Sequence, residues 1–136
     1  MNVKNKERAV SEELERAAAA MQAADLMFDH DLISDAVSKL YYYLLYHLRV
    51  LLITRDLEPR SNEGVLRLFG LHFIKEGIFP AGHSHIVSRI MKYREEADCN
   101  PSYTFTEKDY TDFRGEVISV SEDVKSYLIK NHFLSE

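Results

Sequence analysis

Apolar positions recur along this chain at the alternating three-and-four spacing of helices, and no segment sustains a period of two. The densest stretch is Lys39–Leu52, KLYYYLLYHLRVLL. As a helix it carries one stripe of Leu40, Leu44, Leu48, Leu51 and Leu52. A second holds Tyr42, Tyr46, Arg49 and Ile53, and a third Lys39, Tyr43, His47 and Val50. A surface helix of a small protein needs only one apolar stripe. A helix apolar on nearly every face must be covered on nearly every face, so this segment is expected at the centre of a bundle, with a face left for a second subunit.

The pattern predicts five helices. The first runs from about Asn5 to Phe28, with Leu14, Ala17, Ala18, Met21, Ala24 and Phe28 on one side. Its alanine run, Ala17 to Ala20, favours helix and lets a neighbour approach closely. The second spans about Leu32 to Arg55, with Asp31 as its expected N-cap. The third starts at Ser61 or Asn62, places Glu63 against the N-terminal dipole and stops near Gly77. The fourth covers about Ser84 to Asp98, with Asn100-Pro101 as breaker. The fifth opens on a capping-box pair, Thr106 and Asp109, and runs along Tyr110, Phe113, Val117, Val120, Val124, Tyr127 and Leu128. Residues Asn131 to Glu136 are expected to fray. Short loops between helices predict antiparallel neighbours, hence an all-α, up-and-down bundle.

Composition narrows the picture without changing it. A length of 136 residues fits one domain, 1–136, large enough to bury a core without staples. The formal net charge of −5 argues against a uniformly basic coat for nucleic acid but leaves room for a local basic pocket. Cys99 is the only cysteine, so no internal disulfide forms, and a reducing cytoplasmic setting is expected. The first residues, Met1–Arg8, read as charged helix lead rather than as a signal segment. No apolar run reaches the ~20 residues of a membrane span.

Candidate chemistry is sparse. Arg94 and Asp98 stand four apart on one helical face and can pair. That is either a surface ion pair worth well under about 1 kcal/mol or a guanidinium held ready for a phosphate. Arg60-Ser61-Asn62 is either ordinary capping or an anion site at a helix N-terminus. The six histidines lack ligand spacing, so no metal and no other cofactor is expected. Tyr41, Tyr42, Tyr43 and Tyr46 can stack on bases, but aromatics at helical spacing serve a core equally well. There is no Gly-rich phosphate loop and no nucleophile elbow.

Taken in order, Ser38-Lys39-Leu40-Tyr41-Tyr42-Tyr43 with its aliphatic run, Arg60-Ser61-Asn62-Glu63-Gly64-Val65, and Arg94-Glu95-Glu96-Ala97-Asp98-Cys99 resemble the motifs of the HEPN domain family, in its small stand-alone prokaryotic branch. The resemblance covers about Ala36 to Leu128. It implies an antiparallel helical bundle that dimerises. It also implies, for many members, metal-independent cleavage of RNA by an Arg and a His at the dimer cleft, often in toxins. Other members bind nucleotides or partner with minimal nucleotidyltransferases. This chain keeps Arg94 but has no His among Cys99, Asn100 and Pro101, and Asn62 stands where relatives often have His. Without an imidazole there is no obvious general base.

The expectation is therefore a homodimeric module that binds a nucleotide, RNA or a nucleotidyltransferase partner, away from membranes. Its binding residues would be Lys39, Tyr41, Arg60, Asn62, Arg94 and Asp98. The alternatives are a ribonuclease built on Arg94, or an interaction protein without a ligand site.

Overall fold

The structure is a computed structural model and describes residues 2–100, 102 and 104–135. Among these described residues it has five helices: α1 (Val3–Asp29), α2 (Ile33–Thr54), α3 (Asn62–Phe69), α4 (Ala81–Cys99) and α5 (Glu107–Lys130). A π-helical turn, Gly70–Ile74, extends α3. No strand occurs among the described residues, and no helix there is long and apolar enough to cross a membrane.

The centre is α2, the one helix that packs against all four others. Most of its 22 residues are buried, including Leu40, Tyr41, Tyr43, Leu44, Leu48, Leu51 and Leu52. Its all-round apolarity is thus largely consumed inside one chain. Only Lys39, Tyr42, Tyr46, Arg49 and Ile53 stay partly exposed beyond its first turns. The broadest contact is with α1, where the small Ala17, Ala20 and Ala24 are buried and bring the two backbones close.

The helix starts follow local chemistry. Asn2 caps α1 by accepting from the Asn5 N–H at 2.8 Å. Ser61 caps α3 through Gly64 N–H at 3.0 Å. The Thr106–Asp109 capping box of α5 forms in both directions, at 3.1 and 2.8 Å. The breaker expected at Pro101 lies outside the described residues, and α4 ends at Cys99.

Two expectations fail for one physical reason. Asp31 does not cap α2. It has φ of 62° and closes α1, with Leu32 N–H donating to Met27 O at 2.8 Å and Asp31 N–H to Phe28 O at 3.0 Å. That is a Schellman closure with Asp in the left-handed slot usually held by Gly. The same closure ends α2, where Asp56 has φ of 59° and Leu57 N–H reaches Leu52 O at 2.9 Å. It also ends α5, where His132 has φ of 65° and Phe133 N–H reaches Leu128 O at 2.8 Å. The segment after α5 therefore does not fray over its described residues, and Phe133 and Leu134 fold back onto the core. Gly77, with φ of 77°, ends the α3 extension as its type predicts.

Polar clasps tie helices far apart in sequence. Asp25 accepts from Tyr110 at 2.7 Å and from Arg114 at 2.8 and 2.9 Å, joining α1 to α5. Buried Tyr43 donates to Ser121 at 2.8 Å. His83 contacts Asp123 at 2.6 Å, joining α4 to α5.

Candidate functional site

The Lys39–Tyr42 turn of α2 faces the last turns of α4. Tyr41 is buried and Tyr42 half-buried, because consecutive helical residues point about 100° apart and only one of them can face the core. Their rings meet edge to face, 5.2 Å between centroids. The Arg94 guanidinium lies over both, 5.2 Å from Tyr41 and 5.8 Å from Tyr42. Its Nη2 donates to the Tyr42 hydroxyl at 3.2 Å. Its Nε lies 2.9 Å from an Asp98 carboxylate oxygen but out of line for a hydrogen bond. Nη1 has no protein partner among the described residues, and the side chain is 32% exposed. Burial works against the charge on Arg94, but the Tyr42 hydrogen bond and Asp98 outweigh it and hold its pKa above the ordinary value.

A relay runs from this point to α3. Burial raises the Tyr41 phenol, partly offset by Arg94 and by a hydrogen bond with Asn62. Asn62 Oδ1 also accepts from Arg49 Nη2 at 3.0 Å. On the other side, Lys39 Nζ sits 5.9 Å from the Tyr42 ring centroid. Tyr42 and Tyr46, with centroids 6.3 Å apart, then line a groove of about 450 Å³ with Lys39, Arg16 and the small Ala19 and Ala23 of α1.

The structure thus gathers Lys39, Tyr41, Asn62, Arg94 and Asp98 into one contact network. Arg60 is outside it, exposed in the loop before an ordinarily capped helix. Tyr42 and Arg49 belong to the network but looked like stripe residues in the sequence. Their signal was an Arg and a Tyr hydroxyl on a face too polar for core. Tyr41 and Tyr43 are too buried to stack on bases, at 3% and 7% exposure, whereas Tyr42 and Tyr46 keep accessible surface.

The histidines sit elsewhere. His47 is in the core, His83 pairs with Asp123, and His30 contacts Leu26 O. The partners of Arg94 among the described residues are Tyr41, Tyr42 and Asp98. Cys99 is exposed at the end of α4.

An antiparallel helical bundle with an arginine near the end of its fourth helix is the architecture that the sequence motifs implied. The family model of the HEPN domain matches residues 10–127, and the chain belongs to that family. The match takes in most of α1, beyond the Ala36–Leu128 span that the motifs covered. Among its relatives is a Methanocaldococcus jannaschii protein named as a candidate toxin, 33% identical over 85 residues, 62% of this chain and 63% of that protein. A second protein of that organism, similarly named, is 26% identical over 123 residues, 89% of this chain and 82% of its own. A UPF0332 protein of Thermotoga maritima is 26% identical over 108 residues, 79% of this chain and 82% of its own. The match thus spans a little under two thirds of the first relative and about four fifths of the other two.

Proposed function

We propose that this chain is a toxin-like HEPN module that binds the phosphate of RNA or of a nucleotide at Arg94. The observation that carries the reading is the setting of that side chain. Two tyrosine rings and the Tyr42 hydroxyl fix the guanidinium, while Nη1 has no partner among the described residues and the group is about one-third exposed. A phosphate presents paired oxygens to a guanidinium more favourably than a single misaligned carboxylate does. It would displace Asp98 from Nε and occupy Nη1 as well. Bases attached to that phosphate would lie along Tyr42 and Tyr46 in the α1–α2 groove, with Lys39 and Arg16 at its edges.

The module acts in this reading as a cytoplasmic homodimer paired through the half-exposed face of α2 and through α4, with a nucleotidyltransferase as its cognate partner. A second reading, metal-independent ribonuclease, draws on the relatives named as candidate toxins. Against it stands the lack of an imidazole beside Arg94 among the described residues: the Asn62 amide cannot serve as a base near neutral pH, and the Asp98 carboxylate is engaged with the guanidinium itself.

The test is fluorescence anisotropy with labelled single-stranded RNA and ATP as competitor, run beside a cleavage gel in EDTA. Arg94→Ala is expected to weaken binding by about tenfold or more, as for loss of a charge-assisted contact. The RNA should stay intact. Undiminished binding by Arg94→Ala refutes the proposal. Cleavage that vanishes with Arg94→Ala replaces it with the ribonuclease reading.

A further inference from the structure

Two arginines of this bundle meet a carboxylate in opposite ways. Arg114 takes Asp25 in line, through Nε at 2.8 Å and Nη2 at 2.9 Å, and Tyr110 donates to the same carboxylate at 2.7 Å. That two-point contact is the strong form of the pair. Arg94 and Asp98 do not make it. One Asp98 oxygen comes within 2.9 Å of Nε but out of line, and the buried Nε forms no hydrogen bond. Exposure does not explain the difference, since the side chains of the first pair are 39% and 40% exposed and those of the second 32% and 39%. The tether does. Asp98 stands one turn further along the same helix, so its short side chain approaches along the helix axis and does not square up to two nitrogens at once.

Asp98 also does little for the fold. It has no other hydrogen bond or ion pair among the described residues. Arg94 is already held by the Tyr41 and Tyr42 rings and by the Tyr42 hydroxyl. Asp98 is the last residue but one of α4, where a negative charge opposes the helix dipole.

We propose that Asp98 is a built-in competitor for Arg94, a role that rests on the phosphate site proposed above: a tethered carboxylate that occupies the guanidinium and yields only to an anion able to bind it at two points. The carboxylate swings into solvent as phosphate takes its place, and its exposure leaves that path open. A ligand that offers a single oxygen gains nothing by replacing one already tethered there. A phosphate, with paired oxygens in line, does. Asp98 thus lowers the affinity for every anion and rejects the poorly matched ones, a repulsive element of specificity.

The test is the anisotropy titration with labelled single-stranded RNA, run on the full chain as parent, Asp98→Asn, Glu95→Gln, Arg94→Ala, and Arg94→Ala combined with Asp98→Asn. Glu95→Gln removes the same charge from an exposed position on the same helix. Asp98→Asn is expected to tighten binding about threefold or more, through release of a partly exposed ion pair and of like-charge repulsion. Glu95→Gln should change affinity by less than about twofold. In the Arg94→Ala background Asp98→Asn should bring no gain. Weaker binding by Asp98→Asn overturns the proposal, by making Asp98 part of the binding surface, and unchanged binding overturns it as well. So does an equal gain in Glu95→Gln, or a gain that survives Arg94→Ala, since either marks general charge. In each of these cases the phosphate site at Arg94 still stands if Arg94→Ala alone weakens binding. Binding that Arg94→Ala leaves undiminished, or no binding by any of these proteins, overturns both.

Discussion

His47 should make the stability of this protein depend on pH well above the carboxylate range. The ring is 1% exposed, on the central helix. Its Nδ1 lies 2.9 Å from the Tyr43 carbonyl oxygen. A carbonyl only accepts, so Nδ1 carries the proton and Nε2 is a bare acceptor. No donor reaches Nε2 among the described residues. Protonating it would bury a charge, with Lys125 adding repulsion. Burial first and Lys125 second therefore lower the pKa from 6.5 to about 4, against the opposing pull of the Tyr43 carbonyl. Between those values the unfolded chain binds a proton that the folded chain refuses, so stability is complete above about 6.5 and falls as the pH drops toward 4. From neutral pH to about 4.5 the loss attributable to this one ring is about 2.5 kcal/mol. Urea unfolding followed by circular dichroism over that range, on the parent and on His47→Leu, isolates the effect because every other titrating group is common to both. His47→Leu should unfold at least as hard as the parent near pH 5 and gain relative stability steadily as the pH falls. A parent–variant difference that stays flat with pH, within about 0.5 kcal/mol, would show that the ring is not held neutral by burial and refute the reasoning.

Three further outcomes follow from the packing. Asp25→Asn should cost about 1 kcal/mol at neutral pH and remove part of the acid sensitivity below pH 3.8, because the Arg114 hydrogen bonds hold the Asp25 carboxyl below that value; urea melts at pH 7 and 3 measure both. His132→Gly should raise stability by about 0.5 kcal/mol, since a left-handed residue with a Cβ costs more than the entropy glycine brings, and thermal melts will read the gain. Gly64→Ala should destabilise by about 1–2 kcal/mol, because its Cβ would stand 3.0 Å from Pro59 Cβ and 3.1 Å from the capping Ser61 Oγ; equilibrium unfolding measures it.

What the sequence disclosed and what it hid divide along physical lines. Helical period and capping pairs are local, so the five helices, the Ser61 cap and the Thr106–Asp109 box were legible. The Schellman closures were not, because Asp31, Asp56 and His132 occupy a slot in which glycine is the usual signal. The Arg94–Asp98 pair could be read from four-residue spacing. Its tyrosine bed could not, since Tyr42 and Arg94 are 52 residues apart and meet only through the packing of α4 on α2. For the same reason Arg49 looked like one more member of a stripe until its bond to Asn62 appeared. Arg60 shows the opposite failure, a cation beside a helix start that the fold leaves facing solvent.

The position of α2 also sets how the molecule opens. A helix enclosed by every other helix is expected to have amides that exchange only when the whole bundle comes apart, whereas the last turns of α4, beyond its buried His83, Val87 and Ile90, are expected to open at lower cost. Tyr41, Tyr42 and Arg49 ride on the first kind of element and Arg94 on the second. The two halves of the site therefore live on different clocks. The tyrosine bed is expected to be protected as long as the fold holds, and the arginine above it to be released at lower cost, a difference that amide exchange of α2 against the end of α4 would read.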